Sequence, residues 1–248
     1  MLIGIFAIII SLFTMFESPF LLKNSDKLIK KYIVDQSRKE KLLIHINEAK
    51  DQRKLFVKND KKLTKKINKL YKLRETTSQQ FADLIDQSTS SRKQMQETNF
   101  KLTMESQDLI TELEWENIKP DFKKGMMKIA KKISKSKIST NKSFDKIEAK
   151  FKKIIKDEQK AKDATKALKD FKVSVNNMFE EYKNEILSES SILYELIVEE
   201  QMVIKLQKNH MQNIENVLNA YANLHAVLVA STTEKEWKKL YRSFKLTK

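Results

Sequence analysis

The sequence predicts an all-α protein built from a few long helices. Only two Gly and two Pro occur among 248 residues, so few positions favour a turn. Apolar residues recur at steps of three and four along most of the chain, which is the spacing of helices with one buried face. No segment shows a convincing β-strand alternation. We predict a long, kinked, three-helix antiparallel coiled coil that pairs into an elongated dimer and follows an N-terminal hydrophobic segment.

Charge is the second strong feature of the sequence. The chain has 49 Lys and Arg against 33 Asp and Glu, a formal net charge of +16. Most of the excess falls in residues 119–172, which hold 19 Lys and 7 Asp or Glu. Such a density favours a polyanionic partner, either a lipid surface or nucleic acid, although a solvated face without a specific partner is the other interpretation. Cysteine is absent, which excludes disulfides, thiolate nucleophiles and cysteine-ligated zinc.

Residues 1–22 form a separate hydrophobic segment. Residues 2–16 are almost all apolar, a run shorter than the roughly 20 residues that a spanning helix needs. Three interpretations stay open: a signal anchor, a cleaved secretory signal, or a start-site extension or interfacial wedge with Met15 as an alternative start. If the segment spans a membrane, the basic residues that follow it place residues 23–248 in the cytoplasm. The main domain is then membrane-associated and cytoplasmic.

The main domain, residues 23–230, begins with a helix that Ser25 or Asp26 can cap. Thr77 and Gln80 form a weak capping box, so we place the end of this first helix just before them. The apolar positions of the helix form a ladder: Leu42, Ile46, Ala49, Phe56, Leu63, Ile67 and Leu70.

Two polar residues, Arg53 and Asp60, occupy rungs of this ladder. Polar residues in such a seam weaken it and fix the register of the paired helices. The acidic stretch that follows, 75–118, has a thin seam of small and apolar residues: Met95, Asn99, Leu102, Ser106, Leu109 and Leu113.

The second helix is expected to bend. Pro120 removes a backbone donor, which produces a kink or a stop. Residues 134–143 are rich in Ser, Thr and Asn and predict a loop, a second bend or a frayed turn. The helix has a clear apolar stripe: Phe122, Met126, Ile129, Ile133, Phe144, Ile147, Phe151 and Ile154. The seam lapses at 157–163, which we interpret as the next turn.

The third helix is predicted to run from about 164 to 230, which gives a length of about 100 Å. Its seam is strong at both ends: Leu168, Phe171, Val175, Met178 and Tyr182, then Met211, Ile214, Leu218, Tyr221 and Leu228. Between them, residues 192–206 are apolar on nearly every side, which requires burial on several faces. We therefore predict a homodimer interface there, formed by Ile192, Leu193, Leu196, Ile197, Met202, Val203, Ile204 and Leu206.

The C-terminal segment, residues 231–248, is predicted to form a short basic helix. Thr233 and Glu236 make a good capping box at its start. Its apolar residues could dock on the bundle or touch lipid: Trp237, Leu240, Tyr241 and Phe244.

Catalytic chemistry finds no support in the sequence. Gly4 and Gly125 are the only glycines, so a phosphate loop is impossible. His45, His210 and His225 share no metal-ligand spacing, and a structural role is favoured for each. The paired acids lie on helix surfaces without a base or nucleophile beside them. We interpret the chain as a non-enzyme with no catalytic residues, metal, cofactor or small-molecule substrate.

The order of these features resembles a BAR domain, the crescent-shaped, three-helix dimer that binds curved membranes. The resemblance covers residues 114–228. The segment WENIKPDFKKGMMKIAKKISKSK resembles the kinked middle of that family's second helix, NKSFDKIEAKFKKIIKDEQKAK the lead-in to its distal tip, and the seam residues after 168 its third helix. The resemblance implies basic arm tips that touch lipid. The apolar residues 2–16 differ from the amphipathic N-terminal helix that some family members carry.

The function expected from these features is a dimeric scaffold that senses or generates curvature on anionic membranes. The lysines expected to bind lipid are Lys123, Lys124, Lys128, Lys131, Lys132, Lys135, Lys137, Lys142, Lys152, Lys153, Lys156, Lys160 and Lys162. The alternative is a coiled-coil tether whose only lipid contact is residues 2–22. Nucleic-acid binding is a third, less favoured possibility, because the basic region lacks interleaved aromatic residues and a recognisable reading motif.

Overall fold

The computed structural model describes residues 25–188, 191 and 194–245, and within these residues it contains helices and no strand. The all-α fold class is therefore confirmed. The seven helices are α1 (Ser25–Tyr32), α2 (Gln36–Leu70), α3 (Ser78–Gln107), α4 (Glu112–Ile154), α5 (Glu158–Leu187), α6 (Glu200–Ser231) and α7 (Glu234–Lys245).

Most helices begin where a side chain can satisfy free backbone N–H groups. The predicted capping boxes at Thr77 and Thr233 are both present. Asp157 caps α5 inside the predicted turn, and Asp35 caps α2 after the short α1. Each cap of this kind contributes about 1 kcal/mol, so these residues fix most of the boundaries locally.

Neighbouring long helices pack antiparallel. Between α4 and α5, Lys137 pairs with Glu180 and Lys172 with Asp145, so the partner number falls as the α4 number rises. The pairs α2–α3, α5–α6 and α3–α6 also pack together. One apolar cluster runs through all of these helices and includes Trp237 and Leu240 of α7, which therefore docks on the bundle.

A buried ion pair joins α2 to α3. Asp60, on the predicted polar rung, is 4% exposed, and its Oδ1 lies 3.7 Å from Nη2 of Arg92, which is 1% exposed. Phe56 lies below the guanidinium group, with its ring centre at 4.7 Å. Burial raises the pKa of Asp60 to about 6, against the opposing effect of Arg92. Such a buried ion pair is a costly polar element of the fold.

The turns gather at two ends of the bundle. At the first, here called the loop end, residues 33–35 and 108–111 meet the described residues 188, 191 and 194–199. Arg38 Nη1 donates to the Leu109 carbonyl at 2.9 Å, and the Val198 amide donates to Gln107 Oε1 at 3.3 Å.

The other end, here called the basic end, brings together residues 71–77, 155–157 and 232–233 with α7. Trp237 Nε1 donates to the Lys72 carbonyl at 3.0 Å, and Arg74 Nη1 donates to the Thr232 carbonyl at 2.7 Å. Glu236 accepts a hydrogen bond from the Lys156 amide.

The prediction of three helices is wrong, and the largest error concerns the helix expected at 164–230. The chain leaves the helix after Leu187, re-enters it at Glu200, and returns antiparallel to α5. Tyr194 explains the break. It is buried against Phe122, its hydroxyl donates to the Ile186 carbonyl, and its own carbonyl accepts from Trp115 Nε1. By leaving the helix, the chain buries Tyr194 and Val198 of this apolar segment.

The second predicted helix also differs. A break at 108–111 divides it, because Thr111 and Glu114 form a capping box that starts α4. Leu113, a predicted seam residue, is consequently 76% exposed. Beyond this point α4 is continuous for 43 residues through Pro120 and the segment 134–143. Within that polar segment, the hydroxyl groups of Ser134 and Ser143 donate to carbonyls one turn back, which keeps them inside the helix.

Candidate functional site

Helix α4 has an apolar face that anchors it in the bundle. Six residues of the predicted stripe are buried: Phe122, Met126, Ile133, Phe144, Ile147 and Phe151. Ile129 and Ile154 are half-buried. The stripe is therefore confirmed, and it holds the opposite side of α4 toward solvent.

That opposite side carries a row of lysines, here called the lysine face. Its members are Lys124, Lys128, Lys131, Lys135, Lys142, Lys146 and Lys153, and all are exposed. They follow one another at steps of three, four or seven residues, so they share one side of the helix. The row is about 43 Å long at 1.5 Å per residue. Ile138, which is 58% exposed, interrupts it.

The lysine face is not neutralised by the protein itself. None of its seven lysines forms an ion pair with a carboxylate in the part of the chain that the structure describes. Neighbouring lysines do: Lys137 pairs with Glu180, and Lys152 with Glu148. Uncompensated positive charge therefore covers this outward surface of α4.

The predicted lipid-binding lysines divide into two groups. Eleven of the thirteen are exposed, whereas Lys123 and Lys137 are half-buried. The Lys123 ammonium lies 5.0 Å from the centre of the Tyr194 ring, so it makes a cation–π contact within the protein. Lys156 and its neighbours up to Lys162 lie at the α4–α5 turn. Lys146 was missed, although its position four residues after Lys142 places it on the same face.

A second lysine-rich surface lies on α2 toward the basic end. A shallow groove of about 370 Å³ there is lined by Val57 and by five lysines: Lys54, Lys58, Lys61, Lys62 and Lys65. The groove is formed by one helix, so it offers charge without an enclosed site. Its lysines form a second positive surface on the protein.

Several charged groups at the loop end pair with one another inside the protein. Arg38 donates to both carboxylate oxygens of Glu114, at 2.6 and 2.9 Å. These bonds, with further ones from Thr111, lower the pKa of Glu114 to about 2. Lys31 and the Tyr32 hydroxyl both donate to Asp121 of α4. Such pairs position α1 and α2 against α4.

The predicted dimer residues lie in and after the break between α5 and α6. Ile192 and Leu193 lie outside the described residues. Ile197, Met202 and Ile204 are exposed by 75, 48 and 51%, respectively. The other three are half-buried: Leu196, Val203 and Leu206. The single chain thus leaves part of this apolar set uncovered, and dimerisation stays a prediction.

The three histidines have protein partners. His225 is buried on the predicted ladder and bonds to the Leu73 carbonyl at 3.0 Å. His210 is buried against Tyr182, and burial lowers its pKa to about 4. His45 lies 3.0 Å from the Ser106 hydroxyl. Among the described residues no group of three His, Asp or Glu could hold a metal ion.

Comparisons with family models, curated proteins and solved structures gave no match. The resemblance to BAR domains therefore stays a prediction. Within the described ranges, no helix is long and apolar enough to cross a membrane. The predicted hydrophobic segment, residues 1–22, lies outside those ranges.

Proposed function

We propose that this protein binds anionic membrane surfaces through the lysine face of α4. The observation that carries the proposal is the row of seven exposed lysines without a carboxylate partner among the described residues. A row along one straight helix can approach a flat layer of negative headgroups with several charges at once. The core stripe on the opposite side holds this row in place.

The expected strength follows from the number of lysines that reach the surface. Each contributes about 1 kcal/mol near an anionic leaflet. All seven would give about 7 kcal/mol, a dissociation constant of about 10 µM. Because the interaction is electrostatic and exposed, it should weaken steeply as salt shortens the Debye length.

The side chains around the lysines favour lipid over nucleic acid. The large aromatic residues of α4 are buried, including Trp115, Phe122 and Phe144, so they cannot stack on bases. Ile138 and Met127 are exposed beside the lysines. Apolar side chains next to basic ones are typical of helices that lie in a membrane interface.

Curvature sensing and dimerisation form the more specific part of the proposal. Two copies joined through Ile197, Met202 and Ile204 would double the number of membrane contacts at little further entropic cost. Binding measured on small and large vesicles of one composition tests curvature preference. Equal affinity per lipid would remove curvature from the proposal and leave membrane binding intact.

Charge reversal on the lysine face tests membrane binding directly. In the full chain, K128E/K131E/K135E should reduce sedimentation with phosphatidylserine vesicles at least about 100-fold, because three attractive contacts become repulsive. The matched control, K93E/K205E/K208E, changes the net charge equally on exposed lysines of α3 and α6. Circular dichroism should show equal helicity in both. Equal loss in both variants would refute a specific role for the lysine face.

The tether alternative is distinguished by removing residues 2–22, which leaves every described contact in place. A surface-binding protein keeps its charge-dependent vesicle binding, whereas a tether loses all binding. A gel shift with duplex DNA at moderate salt tests the nucleic-acid alternative. DNA binding tighter than vesicle binding would exclude the lipid proposal.

A further inference from the structure

A pocket lies at the basic end, between the last turns of α4 and the first turns of α5. Its volume is about 680 Å³, within the range of small-molecule sites. Ile155 and Ala161 are its apolar lining residues. Five lysines also line it: Lys152, Lys156, Lys162, Lys166 and Lys169. This enclosure by two helices distinguishes the pocket from the open lysine face.

The pocket has a clear charge excess. Its two carboxylates are already paired, Glu148 with Lys152 and Glu158 with Lys162, each at 2.8 Å. The remaining lysines, Lys156, Lys166 and Lys169, have no carboxylate partner within the described chain. Three lysines without a carboxylate partner among the described residues therefore line one pocket. A single phosphate group would not neutralise them.

A buried hydroxyl provides the independent observation. Thr165 lines the pocket and is only 8% exposed, and its Oγ1 has no hydrogen-bond partner among the residues that the structure describes. Leaving a buried hydroxyl unpaired is unfavourable, so such groups usually have a partner. An anionic oxygen in the pocket would accept this hydroxyl proton. Lys162, Lys166 and Lys169 lie three, one and four residues from Thr165, so they flank the same position.

We infer that the α4–α5 pocket binds a multiply phosphorylated polyol, either free or as a lipid headgroup. The phosphates accept hydrogen bonds from Thr165 Oγ1 and from the three uncompensated lysines, and the carbon ring lies over Ile155 and Ala161. In the membrane-bound case this inference rests on the proposed function, because the pocket would then add headgroup selectivity to the general attraction of the lysine face.

The first experiment uses soluble inositol 1,4,5-trisphosphate as the probe, in calorimetry with the full chain. Thr165→Val keeps the shape of the side chain but removes the hydroxyl, and should weaken binding about tenfold. K166A/K169A should weaken it about 100-fold, because two charge-assisted contacts are lost. K128E/K131E/K135E, which leaves the pocket intact, should retain most of the affinity. Absence of binding at millimolar probe, or identical affinity in Thr165→Val, would overturn the inference.

The second experiment separates the two sources of the ligand. Vesicles containing phosphatidylinositol 4,5-bisphosphate are compared with phosphatidylserine vesicles of equal surface charge. A preference for the former that disappears in Thr165→Val identifies a lipid headgroup, whereas trisphosphate binding without this preference identifies a free ligand. The inference about the pocket is refuted if the trisphosphate does not bind, even when vesicles bind. The proposed membrane function fails if vesicles do not bind, even when the trisphosphate does.

Discussion

The two ends of the bundle use their charges differently. At the loop end, Arg38 and Glu114 face each other within hydrogen-bond distance, and the pKa of Glu114 is lowered to about 2 by that contact. At the basic end, Lys156, Lys166 and Lys169 surround a pocket without carboxylate partners among the described residues. Charges of the first kind stabilise the fold, whereas charges of the second kind cost the fold little and can serve a ligand.

The apolar surface has the reverse distribution. Ile197, Met202 and Ile204 are exposed near the loop end, beside Glu199 and Glu200. A membrane of negative lipids would repel Glu199 and Glu200, so Ile197 and Met202 suit a protein contact better than a lipid contact. The comparison predicts which substitutions alter stability and which alter binding.

The largest effect on stability is expected for the internal pair Asp60–Arg92. Asp60→Ala leaves the buried guanidinium without this counter-charge and should lower the free energy of unfolding by about 3–5 kcal/mol. D60L/R92M, which removes both charges, should recover most of the loss. Urea denaturation measures both variants. If the single and double variants are equally unstable, the pair contributes only through its packing.

Protonation of His210 should give the next largest effect. Its pKa is about 4 in the folded protein against about 6.5 in an unfolded chain, so the unfolded state binds the proton first. Stability should therefore fall as the pH drops from about 6.5 to 4, by up to about 3 kcal/mol. Asp60 acts in the opposite direction between about 4 and 6, because its folded pKa is raised.

Chemical denaturation at several pH values measures this effect. The free energy of unfolding should change less with pH between about 4 and 6.5 in His210→Phe. This variant keeps an aromatic ring against Tyr182 but cannot bind a proton. An unchanged slope in that variant would assign the acid sensitivity to other groups.

Arg38→Ala should produce a smaller loss, about 2 kcal/mol, because two charge-assisted hydrogen bonds to Glu114 disappear. Lys124→Ala, on the lysine face, should change stability by less than about 0.5 kcal/mol. Thermal unfolding of the two variants sharpens the comparison. A loss for Lys124→Ala as large as that for Arg38→Ala would contradict the division into internal and available charges.

The smallest change in stability is expected at the exposed apolar residues. I197E/I204E should leave the free energy of unfolding within about 0.5 kcal/mol, because both side chains already face solvent. The same variant should convert a dimer to a monomer in light scattering at micromolar concentration. If the unsubstituted protein is already a monomer in this measurement, the dimer prediction is wrong.

Features that depend on nearby residues could be predicted from sequence. Thr77 and Thr233 bond within one helical turn, and the stripe of α4 repeats at fixed steps, so both were predictable. The break after Leu187 was not, because an all-round apolar segment fits either a dimer interface or an irregular loop. Only the position of Trp115 and Phe122, brought from α4, shows that Tyr194 is buried within the chain.

The candidate site also combines features that the sequence reveals with features that depend on distant contacts. The density of lysines is visible in the sequence, but their partners are not. Lys137 is neutralised by Glu180, 43 residues away, while Lys135 is left exposed. The unpartnered hydroxyl of Thr165 has no sequence signal, since it depends on how the ends of α4 and α5 meet.

The length of α4 has a consequence for orientation. The helix is continuous over 43 residues, so its first and last lysines cannot move independently. Tilting a row of about 43 Å by about 20° lifts one end by about 15 Å. That distance is nearly two Debye lengths at physiological salt, so salt would screen the attraction between the raised lysines and the lipid charge. A protein bound in this way holds α4 parallel to the membrane surface or detaches from it.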